Sequence, residues 1–478
     1  MNRISTHTVV VGAGIAGSWL AYRLAQRGVP VVLLAAEDAD TPTVSRSAAA
    51  VFNRTLMETT DAQELAALLA DETQTQHPEL QPLIRDYLPR EFGALTELVE
   101  FQRIDTMVIP QHPVPFPRLG AGGEILELLH RQIRALGGRL IVGRVTDLLV
   151  EENTCRGVAY IRDAGNGVVE ARAVVIATGG FSGLMPHAHT PNAGAMLGTF
   201  AAAGGHLTNL EFAQRHALGD LTAERVLYPP DLAGARFYRN GERATWLERA
   251  HANIDERYRD LQIFQQYWRH NLQVPHSLRR GEENYAIGPI YGLSMGGIAH
   301  IGSATDIDGV YVTGEARHDI VADSIIGRPW AIYLCTSGML ADLLESLPHN
   351  GYAGDVPAPD DRIAPEATLH ATIRGRLTEF ADDRFSEPAA DAFVSWCRQR
   401  RHHLAEAQKS DAALLILAEA YALSARLRRE SRGYFYRADH PTADPALAQL
   451  RTRASYDGTT DTVSVEMVAQ ETAGTGTS

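Results

Sequence analysis

Thr8-Val9-Val10-Val11-Gly12-Ala13-Gly14-Ile15-Ala16-Gly17 is the stretch from which the rest of the chain is read. A β-branched run ends at Gly12, further glycines stand at 14 and 17, and Ile15, Leu20 and Leu24 then follow a helical spacing as far as Arg27 and Gly28. Strand, tight turn and helix in this order make the first half of a dinucleotide-binding βαβ unit. Gly12 permits the turn, Gly14 lets the backbone approach a pyrophosphate, and Gly17 lets the helix lie close on its strand. The diphosphate then meets the free N–H groups of the helix N-terminus around Ile15 and Ala16. Val31 to Leu34 reads as the second strand of the unit.

The 478 residues suffice for two or three domains and a large core. With 44 basic and 58 acidic residues the formal charge is −14, which argues against a nucleic-acid partner or an anionic membrane surface. Cys155, Cys335 and Cys397 lie far apart, a pattern that fits a reducing compartment and no iron–sulfur cluster held by this chain alone. No charged-then-apolar leader precedes the first strand, and the longest apolar run, Ala412 to Ala418, stops at Glu419. A soluble, cytoplasmic protein without a membrane partner is the expectation. The single lysine, Lys409, has no glycine loop before it, so a P-loop and a Schiff-base lysine are both unlikely readings of this sequence.

In chain order, residues 1–208 read as the first part of the nucleotide domain. They include a small antiparallel insertion, with strands around Arg139 to Val142, Val145 to Val150, Cys155 to Arg162 and Val168 to Ala171, and a buried strand that ends in Ala177-Thr178-Gly179-Gly180. Residues 209–289 are aromatic- and Arg-rich and read as an inserted capping or substrate domain, with helices expected at Ala244 to Ala250 and Arg257 to Leu272. Residues 290–350 return to the nucleotide domain through a strand ending in Gly314-Glu315, where the acid either accepts a hydrogen bond from a cofactor hydroxyl or caps the next segment. Gly327-Arg328-Pro329 then opens a helix, with Pro329 at its first turn. After a Pro/Asp-rich linker, residues 366–478 read as helical, with one strand near Thr462 to Val468.

These blocks resemble, over nearly the whole chain, the flavoprotein family of L-aspartate oxidase and the succinate dehydrogenase/fumarate reductase flavoprotein subunits. The matching pieces are Gly12 to Gly17, Ala177 to Gly180, Asn209-Leu210-Glu211-Phe212, Gly296-Gly297-Ile298, Gly314-Glu315 and Arg429-Glu430-Ser431-Arg432-Gly433. The resemblance implies an α/β protein: a two-part Rossmann-like FAD-binding domain with an inserted α+β capping domain and a C-terminal helical domain. It implies FAD held by Gly12, Gly14, Ile15, Ala16, Gly17, Ser45, Arg46, Ser47, Val145, Ala177, Thr178, Gly179, Gly180, Gly314, Glu315 and Pro329. A helix N-terminus aimed at the flavin would stabilise the anionic reduced ring.

The chain departs from the family where chemistry is expected. Arg46 stands where the dehydrogenases carry the histidine that attaches FAD covalently, so the FAD should be non-covalent. The Gln-Gly-Gly that follows in the family is replaced near Val51-Phe52-Asn53, and the ribose-binding acid falls near Ala35, with Glu37 as an open substitute. Gln214 and His216 match the family. The proton-donating arginine aligns near Asp231, the histidine before Gly-Gly is Gly292 with Tyr291 beside it, and Gly-Ala-Asn-Arg reads Val321-Ala322-Asp323-Ser324. Two desolvated carboxylates need charge-assisted partners, so a dicarboxylate bound in the family manner is not expected unless Arg225, Arg236, Arg317 or Arg328 compensates.

His216, Tyr291, Arg317 and His318 are the catalytic candidates, and Gln214, Arg236, Asp323 and Arg328 the substrate-binding ones. His187-Ala188-His189 and His402-His403 have no Cys or carboxylate companions and read as no metal site. The expected activity is FAD-dependent dehydrogenation of a small molecule, an amine or amino-acid derivative, at a C–N or C–C bond by hydride transfer to flavin N5. Oxygen or a separate electron carrier would take the electrons. Reduction of an activated C=C bond is the first alternative, and a non-catalytic flavoprotein scaffold the second.

Overall fold

The computed structural model describes residues 2–36, 43–48, 50–59, 61, 63–65, 80–104, 107–113, 120–163, 165–227, 235–245, 276–319, 328–348, 365–366, 368–380 and 385–469. At the centre the strand Asn2–Val11 lies between Val31–Ala35 and Gly167–Ile176, parallel to both; Arg139–Val142, expected in the antiparallel insertion, instead pairs parallel on the outer side of Val31–Ala35, because the helix before it returns the chain to that edge. Thr8–Val11, Val31–Leu34 and Ala173–Ile176 are buried at every position. That is the continuous β-branched burial expected of a parallel sheet covered on both faces. The strand Gly167–Ile176 has two neighbours in succession on its other edge. Its first half pairs antiparallel with Thr154–Ile161, and its last three residues pair parallel with Val310–Val312. This pairing brings the later part of the chain back to the first.

The helix Ile15–Gln26 packs against Ala121–Ala135 and Arg328–Glu345. Trp19, fully buried on it, donates Nε1–H to Glu91 Oε2 (2.8 Å) in the helix Leu80–Thr96. Its C-terminal end closes with Gly28 at φ +72°, Gly28 N–H bonding to Ala25 O and Val29 N–H to Leu24 O. The first helical turn carries no acid and no cap from its own Gly14; of its N–H groups Ile15 N–H donates to Ser45 Oγ (3.1 Å), and those that follow are left for an anion.

The capping region adds strands that the reading of residues 209–289 as helices and loops did not locate. Its described residues form an antiparallel sheet of Ala213–Asp220, Arg225–Val226, Arg236–Arg239, Glu242–Arg243, His276–Arg280 and Glu283–Ser294. Gly288, Pro289 and Gly292 read locally as breakers, yet they lie in the long strand Glu283–Ser294 because cross-strand pairing overrides local propensity. The expected helix at Arg257 to Leu272, and most of that at Ala244 to Ala250, fall outside the described residues.

The C-terminal region has the helices Leu369–Leu377, Glu387–His402 and Lys409–Leu427. The expected strand near Thr462 is half of a hairpin, Leu450–Asp457 with Thr462–Ala469, which the helical reading of this region missed. Arg453 and Ala454 pair with Thr208 and Leu207, which pair in turn with Gly297 and Ile298. One small sheet therefore joins three distant parts of the chain.

The two family-like motifs meet beside that sheet. Glu211 is held by Arg428 Nε through one oxygen and accepts from Thr452 Oγ1 (2.7 Å) through the other. Arg428 also bonds to Glu430 (2.9 Å) and Leu450 O (3.0 Å), and Arg432 Nη2 and Asp444 N–H both donate to Glu430 Oε2 (2.8 Å each). Arg428, Glu211 and Glu430 are buried, so each charge depends on its partners for the solvation it has lost. Arg428→Ala is expected to destabilise the protein by about 3–5 kcal/mol through the stranded Glu211 and Glu430 charges. A urea-unfolding midpoint equal to that of wild type would refute it.

Candidate active site

The parallel strands bring their carboxyl ends to one edge, where Val11, Ile176 and Val312 are neighbours. Ligands of open α/β sheets bind outside such an edge. Gly12 sits at φ +111°, and a Cβ there would stand 2.3 Å from Ala177 O. A Cβ on Gly17 would lie 2.0 Å from Gly12 O, so the strand end and the helix start touch through bare backbone. Ser45 Oγ accepts from Ile15 N–H (3.1 Å), which places the segment 43–48 over the turn. Arg46 beside it reaches Glu127 (3.4 Å). Of Ser47 only the backbone is described, and Val145 is half-buried, two residues past Gly143, whose N–H bonds to Ala35 O (2.7 Å).

Glu315 follows the third strand end and is buried. Its Oε1 accepts from Ser294 N–H (2.9 Å) and Ser294 Oγ (3.1 Å), and Gly180 N–H donates to its carboxyl as well. Burial pushes the carboxyl up to about 7 against the pull of these donors. Glu315 therefore bridges the Thr178–Gly180 turn to the capping strand and does not simply cap the next segment. Asn192, which the sequence reading overlooked, braces the same turn by donating Nδ2–H to Thr178 O (2.7 Å) and Gly180 O (2.9 Å). Thr178 Oγ1 and Tyr333 Oη are buried with no hydrogen-bond partner among the described residues. The bare-backbone turn, the open helix N-terminus and these two hydroxyls fit the phosphates and hydroxyls of FAD.

On the capping side, a Cβ on Gly292 would stand 2.7 Å from His216 Nε2 and 3.4 Å from Gln214 Oε1. Gln214, His216 and Gly292 thus share one face, next to Ser294 and Glu315. Tyr291 turns to the other face, because successive strand residues alternate. Its ring lies under the Arg215 guanidinium (5.5 Å), and Arg215 Nη2 donates to Tyr434 O (3.0 Å) in the C-terminal region. The catalytic expectation for Tyr291 is therefore corrected: only its backbone reaches the site.

Arg317 and His318 are also displaced from the expected role. Buried Arg317 donates to both Asp319 oxygens (2.8 and 2.6 Å), to Gly302 O (2.7 Å) and to Ser303 Oγ (3.0 Å). Its guanidinium and His300 hold Asp319 well below the usual carboxylate range despite burial. His318 Nδ1 donates to Ile298 O (3.1 Å), and its Nε2 accepts from Arg451 (2.7 Å) of the C-terminal hairpin. Four of the five guanidinium N–H groups of Arg317 are thus engaged within the protein, and both ring nitrogens of His318 are taken.

Arg236 is exposed on a strand of the cap separated from Ala213–Asp220 by two others, so it is not brought to His216. Arg328 is fully buried and Pro329 half-buried at the start of the helix Arg328–Glu345. Asp323 lies outside the described residues.

A carboxyl whose folded value exceeds its ordinary one stabilises the fold below the ordinary value, and that contribution is lost as pH rises through the folded value. Glu315, moved from 4.5 to about 7, should cost the cofactor-free protein about 3 kcal/mol of stability between pH 4.5 and 7.5. Urea-unfolding curves across that range should flatten, relative to wild type, in Glu315→Gln. An identical pH dependence in the two proteins would contradict it.

A family model described as the FAD-binding domain matches residues 7–247, and one described as the fumarate reductase flavoprotein C-terminus matches residues 401–474. The chain is similar to L-aspartate oxidase of Pyrococcus abyssi, 23% identical over 468 residues that cover 90% of this chain and 95% of the relative. It is similar also to that of Pyrococcus furiosus, 25% identical with the same coverage. Its fold is that of the FrdA chain of E. coli quinol fumarate reductase (TM-score 0.77, 17% identity, 99% of this chain and 98% of that one). Sdh1 of Mycobacterium smegmatis shares it too (TM-score 0.74, 18% identity, 98% and 95%). Among the described residues no helix is long and apolar enough to cross a membrane. With half of its length under the FAD-binding model and the fold shared throughout, the chain belongs to the flavoprotein family of L-aspartate oxidase and the succinate dehydrogenase/fumarate reductase flavoprotein subunits, and is an FAD-dependent oxidoreductase.

Proposed function

We propose that this oxidoreductase dehydrogenates a small amine or amino-acid derivative at a C–N or C–C bond, in preference to a plain dicarboxylate. The observation that carries this reading is the face shared by Gly292, His216 and Gln214, where residue 292 contributes no side chain and the hydrogen-bonding groups are those of His216 and Gln214. Of the arginines, Arg215 donates to Tyr434 O, Arg317 pairs with Asp319, and Arg236 stands on an exposed part of the cap. A second substrate carboxylate would need such a cation once desolvated.

FAD, when bound, supplies the hydride acceptor at N5. Gly12, Gly14, Gly17, Thr178 and Glu315 are the residues that hold it, and Arg46, facing Glu127, offers no histidyl nitrogen for a covalent bond. His216 takes the one proton that leaves the substrate, since an imidazole changes charge near neutral pH. Gln214, buried beside it, orients the reacting group by hydrogen bonding. Oxygen or a separate electron carrier takes the electrons afterwards.

The flavin spectrum should disappear from the protein and FAD appear free in solution on denaturation. Anaerobic mixing with amines and amino acids should bleach the bound flavin, and His216→Ala should keep FAD while slowing that bleaching roughly 10²-fold or more. A flavin that no compound of the two classes reduces, together with reoxidation of the dithionite-reduced protein by an enoate without oxygen, would replace this reading by the reductase one.

A further inference from the structure

One imidazole beside Gly292 and His216 remains unassigned. The segment His187 to His189 runs along Glu283–Ser294 opposite Ala213–Asp220. Tyr291 N–H donates to His187 O (2.9 Å), His189 N–H donates to Tyr291 O (3.1 Å), and Ala188 bridges Tyr291 in parallel. Gly292 thereby lies between two histidines on neighbouring stretches of chain. The ring centroids of His189 and His216 are 6.2 Å apart and their planes stand at 80°. With His216 Nε2 only 2.7 Å from the position of a Cβ on Gly292, the histidine that the family resemblance expects at 292 does not fit beside His216 as placed here.

His189 Nδ1 lies 3.0 Å from Tyr291 O. A carbonyl only accepts, so Nδ1 carries the proton, and the neutral ring then presents a lone pair at Nε2. Burial and the neighbouring His216 push the imidazole down to about 4, which keeps it neutral around pH 7. No partner for Nε2 is present among the described residues.

Resting on the dehydrogenase reading above, we infer that His189 is a substrate-binding residue that sets the choice of substrate: its Nε2 accepts a hydrogen bond from the N–H of an amine or ammonium group held beside His216. A carboxylate in that place would face a lone pair with nothing to donate to it, whereas an ammonium brings three donors.

The holoenzyme is titrated anaerobically with three pairs of compounds that differ by one amino group: L-aspartate and succinate, L-glutamate and glutarate, L-leucine and 4-methylpentanoate. The absorbance of the bound flavin reports Kd. In wild type the amino member of at least one pair should bind about tenfold or more tighter than its partner, the worth of one charge-assisted hydrogen bond. His189→Ala should bring that ratio close to one, and His189→Gln, whose amide oxygen reaches the position of Nε2, should restore part of it. A wild type with no preference for any amino member, or a His189→Ala ratio equal to that of wild type, would overturn the inference. Flavin reduction by the amino members with an unchanged ratio removes His189 alone. A ratio that collapses in the variant without reduction by any compound supports His189 and removes the dehydrogenase reading.

Discussion

The contact between Gly17 and Gly12 O is the constraint on which the rest of the molecule depends. A side-chain carbon at either position would collide with backbone, at 2.0 Å for Gly17 and 2.3 Å for Gly12 against Ala177 O. Because both lack one, the first helix lies directly over the junction of the two central strands, and its free N–H groups point along the sheet's carboxyl edge. The third strand ends at the same edge, and its Glu315 reaches across to Ser294 of the capping strand. A close approach of bare backbone therefore sets where the cofactor edge, the buried acid and the mouth of the cap must meet.

Two buried ionic assemblies keep that arrangement from coming apart. Arg428, Glu211, Glu430 and Arg432 join the C-terminal region to the capping-strand entrance, while Arg317, Asp319, His318 and Arg451 join the C-terminal hairpin to the Gly297–Ile298 segment. Charges removed from water gain little net stability from pairing, but they tolerate only one arrangement of partners. Motifs that look like chemistry, Asn-Leu-Glu-Phe and Glu-Ser-Arg-Gly among them, act here through position. In the function proposed above, the chemistry falls to His216 and Gln214 beside Gly292. A fold by itself does not choose a reaction.

The nucleotide-binding edge was legible in the sequence because its determinants are local. Gly12, Gly14 and Gly17 stand at fixed offsets between a β-branched run and an amphipathic helix, and the strand ends at Gly179 and Gly314 repeat the pattern. The capping sheet was not legible in this way. Gly288, Pro289 and Gly292 carry breaker signals, and only pairing with distant strands makes their segment extended. The hairpin partner Leu450–Asp457 was hidden for the same reason: its register is set by Thr208 and Leu207 from the opposite half of the chain.

Sequence alone determined the cofactor class, the order of the blocks and the loss of the family's histidine at 292, since each rests on residue identity at a given spacing. Only the tertiary structure decided which side chains share the site. Tyr291 and Gly292 are adjacent in sequence, yet strand alternation sends Tyr291 toward Arg215 and leaves Gly292 facing His216. Arg317 and His318 lie next to the motif acid but are consumed by Asp319, Ile298 and Arg451. His189, which belongs to none of the matched motifs, is brought beside His216 by its backbone bonds to Tyr291. Spacing along a chain encodes local backbone geometry, whereas the face a side chain presents and the partner it meets depend on packing between segments that the chain does not place side by side.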